Sequence, residues 1–524
     1  MNAPAQRSTM GEVLGQQGSA LTEKVAFETL EGASVTFGAF HDRVNRLCNA
    51  AAALGLVHGD RVAILSRNRP EYVEAYGASQ SGLIVVPLNW RLAAVELQKL
   101  IAHSAPKLIV VDGPHRELID SLRPLLPSVE HFVLLGAEAP GWIAYESLLS
   151  KSSASTPRQL ATPDDILALI YTSGTTGAPK GVAISHSAAM GNSRTAANGM
   201  LALTERDRTM AVMPLFHVGG MWYHLFPSFF AGCTTLILPE FSPGTVLQEI
   251  ERRQITNVHL VPTMVGALLA HPGVEGASLS SLRVLFYAAS SMPPDILRRA
   301  MRAFPSCAFA QGYGSTEAGF VTGLDADAHR RAGTLEGEHL LSSCGKPFPG
   351  RAVRLVDDMR SEVEPGGIGE IEVFSPDIMK GYWHNDDATR AVLDAAGWLK
   401  TGDLGHFDAE GFLYIVDRKN DMVVTGGENV YPTEVEACLY RDADVLEAAV
   451  FGIPDPQWVE KVVAAVVLRP GVRVGADELI ARLRSQLAAY KCPKAIYFTT
   501  TLPKSAVGKI LRKELRKQYG SGTD

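Results

Sequence analysis

The sequence has few cysteines, and no two of them have C-x-x-C spacing. Six are spread over 524 residues: Cys48, Cys233, Cys307, Cys344, Cys438 and Cys492. Zinc sites and redox pairs usually need closely spaced cysteines, and disulfide frameworks need many cysteines in a short chain. The pattern therefore argues against a disulfide scaffold or a zinc site and indicates a reducing compartment.

The sequence also lacks an excess of basic residues. Lys and Arg number 49 against 56 Asp and Glu, which gives a formal net charge of -7 at pH 7. Proteins that bind nucleic acid generally carry a basic excess, so we expect no nucleic-acid partner. A content of 46% hydrophobic and 20% charged residues is that of a globular protein and excludes a disordered one.

No segment has the pattern of a signal peptide or a membrane span. The N-terminal run MNAPAQRSTMGEVL has no apolar core. The longest apolar stretch, Gly219–Leu238, is interrupted by Pro227 and Gly232, whereas a spanning helix needs roughly 20 mostly apolar residues without a break. It predicts a buried helix, a turn and the strand Thr234–Leu238. We expect a soluble cytoplasmic protein, and the sequence allows a homo-oligomer without specifying one.

Strands and helices alternate along the first three quarters of the chain. Val62–Leu65, Leu83–Pro87 and Leu108–Val111 are predicted strands with helical spacing between them, an order typical of a mostly parallel sheet. Further predicted strands are Ile166–Tyr171, Thr234–Leu238, Val258–Val261, Leu282–Tyr287 and Ala308–Ala310. An antiparallel, β-barrel-like section is predicted because no long helices separate Ala352–Val356, Glu370–Phe374 and Phe412–Val416.

A charged run, DRKND at residues 417–421, marks the predicted domain boundary. Beyond it the chain has its own cycle: a helix from Pro432, strands Ala448–Gly452 and Val462–Leu468, and the helix Ala476–Ala489. We predict an α/β protein. A large N-terminal domain spans residues 1–417, with parallel α/β sheets plus the β section. A hinge spans 418–421, and a small α+β C-terminal domain spans 422–524.

A glycine-rich run, YTSGTTGAPKGV at residues 171–182, follows a predicted strand. Gly174 and Gly177 allow a tight turn, and Lys180 adds a cation. Its hydroxyl side chains can donate to phosphate oxygens and belong to Thr172, Ser173, Thr175 and Thr176. It is not a Walker A loop, because Pro179 and Gly181 flank the lysine. Taken alone, the run fits a phosphate loop or a surface turn.

Further motifs follow in a fixed order: YGSTE at 313–317, WLKTGD at 398–403, DR at 417–418 and PKSAVGK at 503–509. Together with the glycine-rich run they resemble the adenylate-forming superfamily of acyl-CoA synthetases, peptide-synthetase adenylation domains and luciferases. The resemblance covers about residues 25–518, and several ordered motifs are far more specific than one.

The resemblance implies a two-step reaction. A small carboxylic acid attacks ATP to give an acyl-adenylate and pyrophosphate, and the thiol of CoA then takes the acyl group. Because a carboxylate and a polyphosphate repel each other, fixed cations and Mg²⁺ should offset their charge in a dry site. The resemblance also implies that the C-terminal domain is mobile and rotates about the hinge between the two steps.

The resemblance also assigns residues to ATP. They are Thr172, Ser173, Gly174, Thr175, Thr176, Gly177, Lys180, Ala289, Ser290, Gly312, Tyr313, Gly314, Thr316, Asp403 and Arg418. Asp403 would bind the ribose hydroxyls and Tyr313 would stack on adenine. Thr172 and Glu317 would hold Mg²⁺, a cation that prefers oxygen ligands. Lys509 is the implied catalytic lysine, bridging the acyl carboxylate and the adenylate.

For the second step, the resemblance places the hinge at Asn420, where many relatives have Asp or Lys. Asn tolerates unusual backbone angles, so the role survives the change. Gly426 and Gly427 resemble the strip that lines the pantetheine tunnel of CoA. Trp458 is a candidate for stacking on the CoA adenine, with a partly buried structural aromatic as the alternative.

The acid itself is less clearly indicated. The run PLFHVGG at 214–220 resembles the segment beside the acyl pocket, with His217 contacting the carboxylate or gating the thiol route. The predicted pocket residues are His217, Gly219, Trp222 and Gly312, with Tyr223, Phe286 and Phe320 as further candidates. Amino-acid-activating relatives have Asp in place of His217, and dicarboxylate-activating ones have Arg in place of Gly312. Both absences favour an uncharged acyl group, and Gly312 is expected to leave space for it.

We therefore expect an AMP-forming acyl-CoA synthetase. A medium- to long-chain fatty acid is slightly favoured, because no polar side chain is evident for a ring substituent. The alternatives are an aryl-acid CoA ligase for a benzoate or hydroxycinnamate, and a stand-alone enzyme that loads a carrier-protein thiol. A luciferase-type oxygenase and a silent nucleotide-binding regulator remain as well, the latter disfavoured by the intact motifs.

Overall fold

Two large, mostly parallel sheets form most of the N-terminal part. The computed structural model describes residues 7–136, 138–172, 180–419, 421–425, 428–456, 458–505 and 508–520. In spatial order, the first sheet consists of Gly381–Tyr382, Lys180–Ser185, Ile166–Thr172, Ile84–Pro87, Arg61–Leu65, Leu108–Asp112, His131–Leu135 and Ile143–Ala144. The second consists of Lys346–Pro347, Gly319–Leu324, Ala308–Ser315, Val284–Ala288, Asn257–Leu260, Arg208–Ala211, Thr234–Ile237, Val25–Glu28 and Ser34–Thr36.

Helices cover both faces of these sheets. They are Met10–Ala20, Phe37–Ala53, Pro70–Gly77, Ala94–Ser104, Arg116–Leu122, Tyr145–Ser150, His186–Thr195, Val218–Gly220, Phe226–Phe230, Pro243–Arg253, Pro262–Ala270, Pro294–Ala303, Ala326–Ala332 and Asp386–Val392. Helix starts follow local chemistry: the Thr36 and Ser185 hydroxyls accept from the backbone N–H groups of Ala39 and Ala188. The predicted α/β class is confirmed.

Burial explains why the parallel strands are continuous apolar runs. In the strand Arg61–Leu65, Val62 and Ile64 join the core shared by the two sheets. Ala63 and Leu65 point the other way, into a core closed by the outer helices. Because both faces are buried, these strands show no polar alternation.

The apolar stretch Gly219–Leu238 folds as the sequence predicts. Short helical segments run to Phe230, Gly232 turns the chain with φ +77°, and the strand Thr234–Ile237 follows. Pro227 lies in the first turn of its helix, where a missing N–H costs no hydrogen bond. Within the described ranges, no helix is long and apolar enough to cross a membrane.

The predicted antiparallel section is confirmed as a sheet, in the order Ala352–Val356, Gly369–Phe374, Leu399–Phe407 and Leu413–Arg418. Sequence patterning missed the third strand, because its polar residues and Gly402 have the composition of a loop. Gly402 adopts φ +74°, which glycine takes without strain. The missed strand carries Asp403, and its pairing with the fourth strand sets Asp403 opposite Arg418.

The C-terminal part has its own sheet and its own two cores. Its strands are Glu428–Val430, Val423–Thr425, Val459–Leu468, Val445–Asp455 and Ala495–Phe498. Its helices are Pro432–Arg441, Ala476–Arg484 and Arg512–Gly520. The second helix ends five residues before the predicted Ala489. The domain boundaries at 417 and 422 stay predictions.

Candidate active site

The carboxyl ends of parallel strands gather at one edge of the second sheet. Asn257–Leu260, Val284–Ala288 and Ala308–Ser315 run parallel, so Thr263, Ala289 and Thr316 follow at the same edge. Ligands of open α/β sheets bind at such edges. Ala289 has φ +77°, a conformation that costs a non-glycine residue of order 1–3 kcal/mol and that clusters at functional sites. Ser290 is exposed beside it.

The glycine-rich run leaves and re-enters the first sheet at one point. Thr172 ends one strand, Lys180 begins the next, and the two residues pair in an antiparallel register. Several predicted residues lie outside the described ones: Ser173, Gly174, Thr175, Thr176, Gly177, Asn420, Gly426 and Gly427. The structure therefore describes the two ends of the predicted phosphate loop.

Tyr382 joins the end of that loop to Glu317. The Lys180 ammonium lies 5.2 Å from the centre of the Tyr382 ring. The Tyr382 hydroxyl donates to Glu317 Oε1 at 3.1 Å, and burial together with this carboxylate raises the pKa of the phenol. Two predicted ligands, Lys180 and Glu317, thus share one neighbourhood. Sequence reasoning missed Tyr382, because it lies in a two-residue strand without a specific motif.

The side chains of Tyr313 and Asp403 are joined by a hydrogen bond. The Tyr313 hydroxyl donates to Asp403 Oδ2 at 2.7 Å, and Arg418 Nε lies 3.5 Å from Asp403 Oδ1. Burial raises the pKa of Asp403, while the Arg418 and Lys509 charges act to lower it. The strand predicted over Ala308–Ala310 is longer in the structure and continues through Tyr313 and Gly314 to Ser315. Gly314 is needed there because a Cβ would lie 2.0 Å from the Gly319 carbonyl oxygen.

Lys509 reaches this cluster from the C-terminal part. Burial and the Arg418 charge lower its pKa to about 8, against the opposing effect of Asp403 and Glu317. Burial, with the Lys509 charge second, lowers the pKa of His217 to about 3. Lys509 is therefore within electrostatic reach of His217, Asp403, Glu317 and Arg418, which come from distant parts of the sequence.

The preceding residue packs directly on the N-terminal part. Gly508 has φ +79°, and a Cβ on it would lie 2.7 Å from Thr263 Oγ1. A side chain at this position would therefore meet both backbone strain and a steric contact. Sequence reasoning missed Thr263, because nothing in a single sequence shows which surfaces the two parts bring together.

Gly219 sets the protonation of His217. The Gly219 N–H donates to His217 Nδ1 at 3.1 Å, so that nitrogen is unprotonated. Because the lowered pKa keeps the ring neutral, its proton lies on Nε2. His217 consequently offers the site an N–H donor.

Two phenylalanine rings pack against Gly312 and form an aromatic wall at this position. A Cβ there would lie 2.5 Å from Phe320 Cε1 and 3.1 Å from Phe286 Cζ. The expected space at Gly312 was therefore wrong: the two rings already occupy it. Phe320 also stacks on Tyr223, with ring centres 3.9 Å apart. A cavity beside Thr316 is lined by Val218, Trp222, Tyr223 and Met379, among other side chains.

Trp458 lies at the turn between the long C-terminal strands. Its side chain is 40% exposed, and the Lys494 ammonium lies 6.0 Å from its ring centre. It belongs to neither the Asp403 cluster nor the Gly312 wall.

The ends of the glycine-rich run, the hydrogen-bonded Tyr313–Asp403 pair and the partly buried Lys509 are the features that the resemblance to adenylate-forming enzymes predicts. The chain belongs to the AMP-binding enzyme family: the family pattern matches residues 15–383, and the AMP-binding enzyme C-terminal domain matches residues 434–509.

Individual relatives agree with the family match. The chain is 37% identical over 480 residues to an indoleacetate–CoA ligase of Aromatoleum aromaticum, covering 90% of this chain and 91% of that protein. It is 37% identical over 498 residues to a feruloyl-CoA synthase of an Amycolatopsis species, covering 93% and 95%. A fatty acid–acyl-carrier-protein ligase of Streptomyces coeruleorubidus is 35% identical over 493 residues, covering 93% and 92%.

Solved structures share the whole fold. An anthranilate CoA ligase in complex with anthranoyl-AMP superposes with a TM-score of 0.90 at 29% identity, covering 99% of this chain and 98% of that one. The protein is therefore an AMP-forming acid–CoA ligase, and the alternative of a silent nucleotide-binding regulator is set aside.

Proposed function

We propose that the protein activates an aryl or arylalkyl carboxylic acid as its adenylate and transfers the acyl group to CoA. The observation that carries this proposal is the aromatic wall, where Phe286 and Phe320 close over Gly312. Flat rings pack best against other rings in stacked or edge-to-face arrangements. A long flexible chain would instead need a deep channel past Gly312. The medium- to long-chain fatty acid favoured by the sequence thus becomes the second candidate.

The charge arrangement supports the first step. The Lys509 ammonium is proposed to bridge the acid carboxylate and the α-phosphate, and the His217 N–H to bind a carboxylate oxygen. Fixed donors of this kind stabilise developing charge most where water is excluded. Asp403 is proposed to accept from the ribose hydroxyls beside Tyr313, with Arg418 as a second contact.

The oxygen atoms of Glu317 and Thr172 fit the ligand preference of Mg²⁺. The described residues hold no group of three or more His, Cys, Asp or Glu side chains that could bind a metal. Mg²⁺ commonly uses one or two protein oxygens and takes its other ligands from phosphate and water. We propose that Glu317 and Thr172 provide those oxygens, while bound Mg²⁺ neutralises phosphate charge.

Adenylation should lose activity as the pH rises through about 8. The protonated Lys509 is the form that opposes negative charge, and its pKa is lowered to about 8. Activity is therefore full below that pH and declines above it. His217, with a pKa of about 3, does not titrate near pH 7 and so does not change the pH–activity profile there. The measurement is kcat/KM for pyrophosphate release from about pH 6 to 10. The arginine of Lys509→Arg keeps its charge over that range. This variant should therefore show no decline in activity above pH 8, although its rate should be lower than that of the wild type.

A panel of acids tests the proposed substrate class. Pyrophosphate release is measured with MgATP for benzoate, 4-hydroxycinnamate, indole-3-acetate, octanoate and palmitate, each with and without CoA. We expect the highest CoA-dependent kcat/KM with an aryl or arylalkyl acid. A clear preference for palmitate or octanoate contradicts the proposal and supports the fatty acid.

Loading of a carrier protein is the second candidate for the acceptor. A relative at 35% identity, a fatty acid–acyl-carrier-protein ligase, favours it. In that case pyrophosphate release stays near one equivalent per enzyme whether or not CoA is present. The fatty members of the panel should then outperform the aryl ones.

A further inference from the structure

Beside the aromatic wall at Gly312, one buried acceptor has no partner among the residues that the structure describes. His259 lies on the strand Asn257–Leu260 and is 1% exposed. Its Nδ1 lies 2.9 Å from the Gly219 carbonyl oxygen, which can only accept, so Nδ1 carries a proton. Burial lowers the pKa of this histidine to about 3, and the ring is therefore neutral. Its Nε2 is therefore unprotonated and has a lone pair that can accept a hydrogen bond.

That lone pair is unsatisfied. Among the described residues, His259 Nε2 has no hydrogen-bond partner. The great majority of buried polar side-chain atoms have one, because an unpaired acceptor loses its hydration without compensation. His224, whose ring centre is 6.2 Å away, does not explain it, since His224 Nε2 is bonded to Asn257 Oδ1 at 3.0 Å.

The surroundings of His259 belong to the acid site. Its ring lies against Phe286, with ring centres 4.6 Å apart, and Phe286 closes the wall at Gly312. Gly219 connects it to His217: the Gly219 N–H donates to His217, and the Gly219 carbonyl accepts from His259. One glycine thereby fixes opposite tautomers, so His217 offers a donor and His259 offers an acceptor.

We propose that the acid carries an N–H or O–H donor on its ring, and that His259 Nε2 accepts this hydrogen bond as a specificity determinant. The inference rests on the proposed aryl-acid function and names the ring substituent that function leaves open. Indoleacetate, ferulate and anthranilate, the acids named for three related proteins, each carry a ring N–H or O–H. The sequence analysis found no evident polar side chain for a ring substituent. We propose His259 as that side chain.

Matched acids test the inference. Indole-3-acetate is compared with benzothiophene-3-acetate, and 4-hydroxycinnamate with 4-methoxycinnamate. Affinity is measured by calorimetry on the full chain with a non-hydrolysable ATP analogue, and kcat/KM by pyrophosphate release. In at least one pair, we expect the member with the donor to be favoured by about 5- to 150-fold, because the other leaves His259 unpaired.

Variants separate recognition from a structural role. In His259→Phe, which keeps a flat ring without the acceptor, the preference within that pair should fall to about onefold. His259→Gln, which restores an acceptor, should recover part of it. Phe286→Leu changes the neighbouring ring and leaves the acceptor, so both members of the pair should shift together.

The results distinguish this inference from the proposed function. Equal affinity within both pairs, failure of both pairs to bind, or an unchanged preference in His259→Phe overturns the inference. Aryl acids turned over without any preference for a donor would leave the aryl-acid proposal standing while removing His259 from recognition. Turnover restricted to fatty acids would remove both.

Discussion

Lys509→Ala is expected to lower the rate of adenylate formation by about 10²- to 10³-fold, the usual cost of losing one fixed donor at a developing charge. Burial and the Arg418 charge lower the pKa of the ammonium to about 8, and the charges of Asp403 and Glu317 also act on it, so it is held in a desolvated position. ATP affinity should change little, because the phosphate loop and Asp403 remain. The measurements are ATP–pyrophosphate exchange and calorimetric ATP binding.

The matched control is Lys517→Ala, an exposed lysine of the last helix, Arg512–Gly520. It removes one positive charge from the same unit without touching the Lys509 motif, and exchange should stay near the wild-type rate. Wild-type exchange in Lys509→Ala, or an equal loss in both variants, would remove Lys509 from the adenylation step.

Gly508→Ala is the second large effect, expected to lower adenylation by about 10- to 100-fold although no functional group is lost. The new Cβ would stand 2.7 Å from Thr263 Oγ1, at a residue with φ +79°. Strain of this kind costs of order 1–3 kcal/mol, and here it falls on the contact that delivers Lys509. The rate of adenylation under saturating MgATP and acid is the measurement.

Gly471→Ala separates the contact from the backbone strain. Gly471 has φ +82° in the same unit, and no atom lies within 4 Å of a Cβ placed on it. It should lose stability as Gly508→Ala does, seen as a lower melting temperature, while adenylation stays close to wild type. If both variants lose adenylation equally, the loss comes from backbone strain and the Thr263 contact has no special role.

Thr263 and Gly508 illustrate what a single sequence leaves hidden. Lys509 was identified from the order of motifs, but the surface on which its segment docks was not. That surface depends on how two units with separate hydrophobic cores meet, and no local pattern encodes it. The same holds for Tyr382, which lies far along the chain from both Lys180 and Glu317.

Gly312 and His259 show where local reasoning about the pocket failed. A glycine was interpreted as space, yet the volume beside it is taken by two phenylalanine rings from neighbouring strands. His259 was one imidazole in the predicted strand Val258–Val261, which is otherwise apolar, a signal that by itself fits any buried histidine. Its meaning comes from Gly219, which lies on a different element and fixes its tautomer.

The sequence alone determined the α/β class, the antiparallel section, the family and the order of the motifs, because strand and helix periods and contiguous motifs are local properties of the chain. Only the tertiary structure decided which strand carries Asp403, what closes the wall at Gly312 and where Lys509 is delivered. It also decided which nitrogen of His259 is without a partner among the described residues. Those features arise from contacts between residues far apart in sequence, where packing and desolvation set the geometry and the protonation of each group.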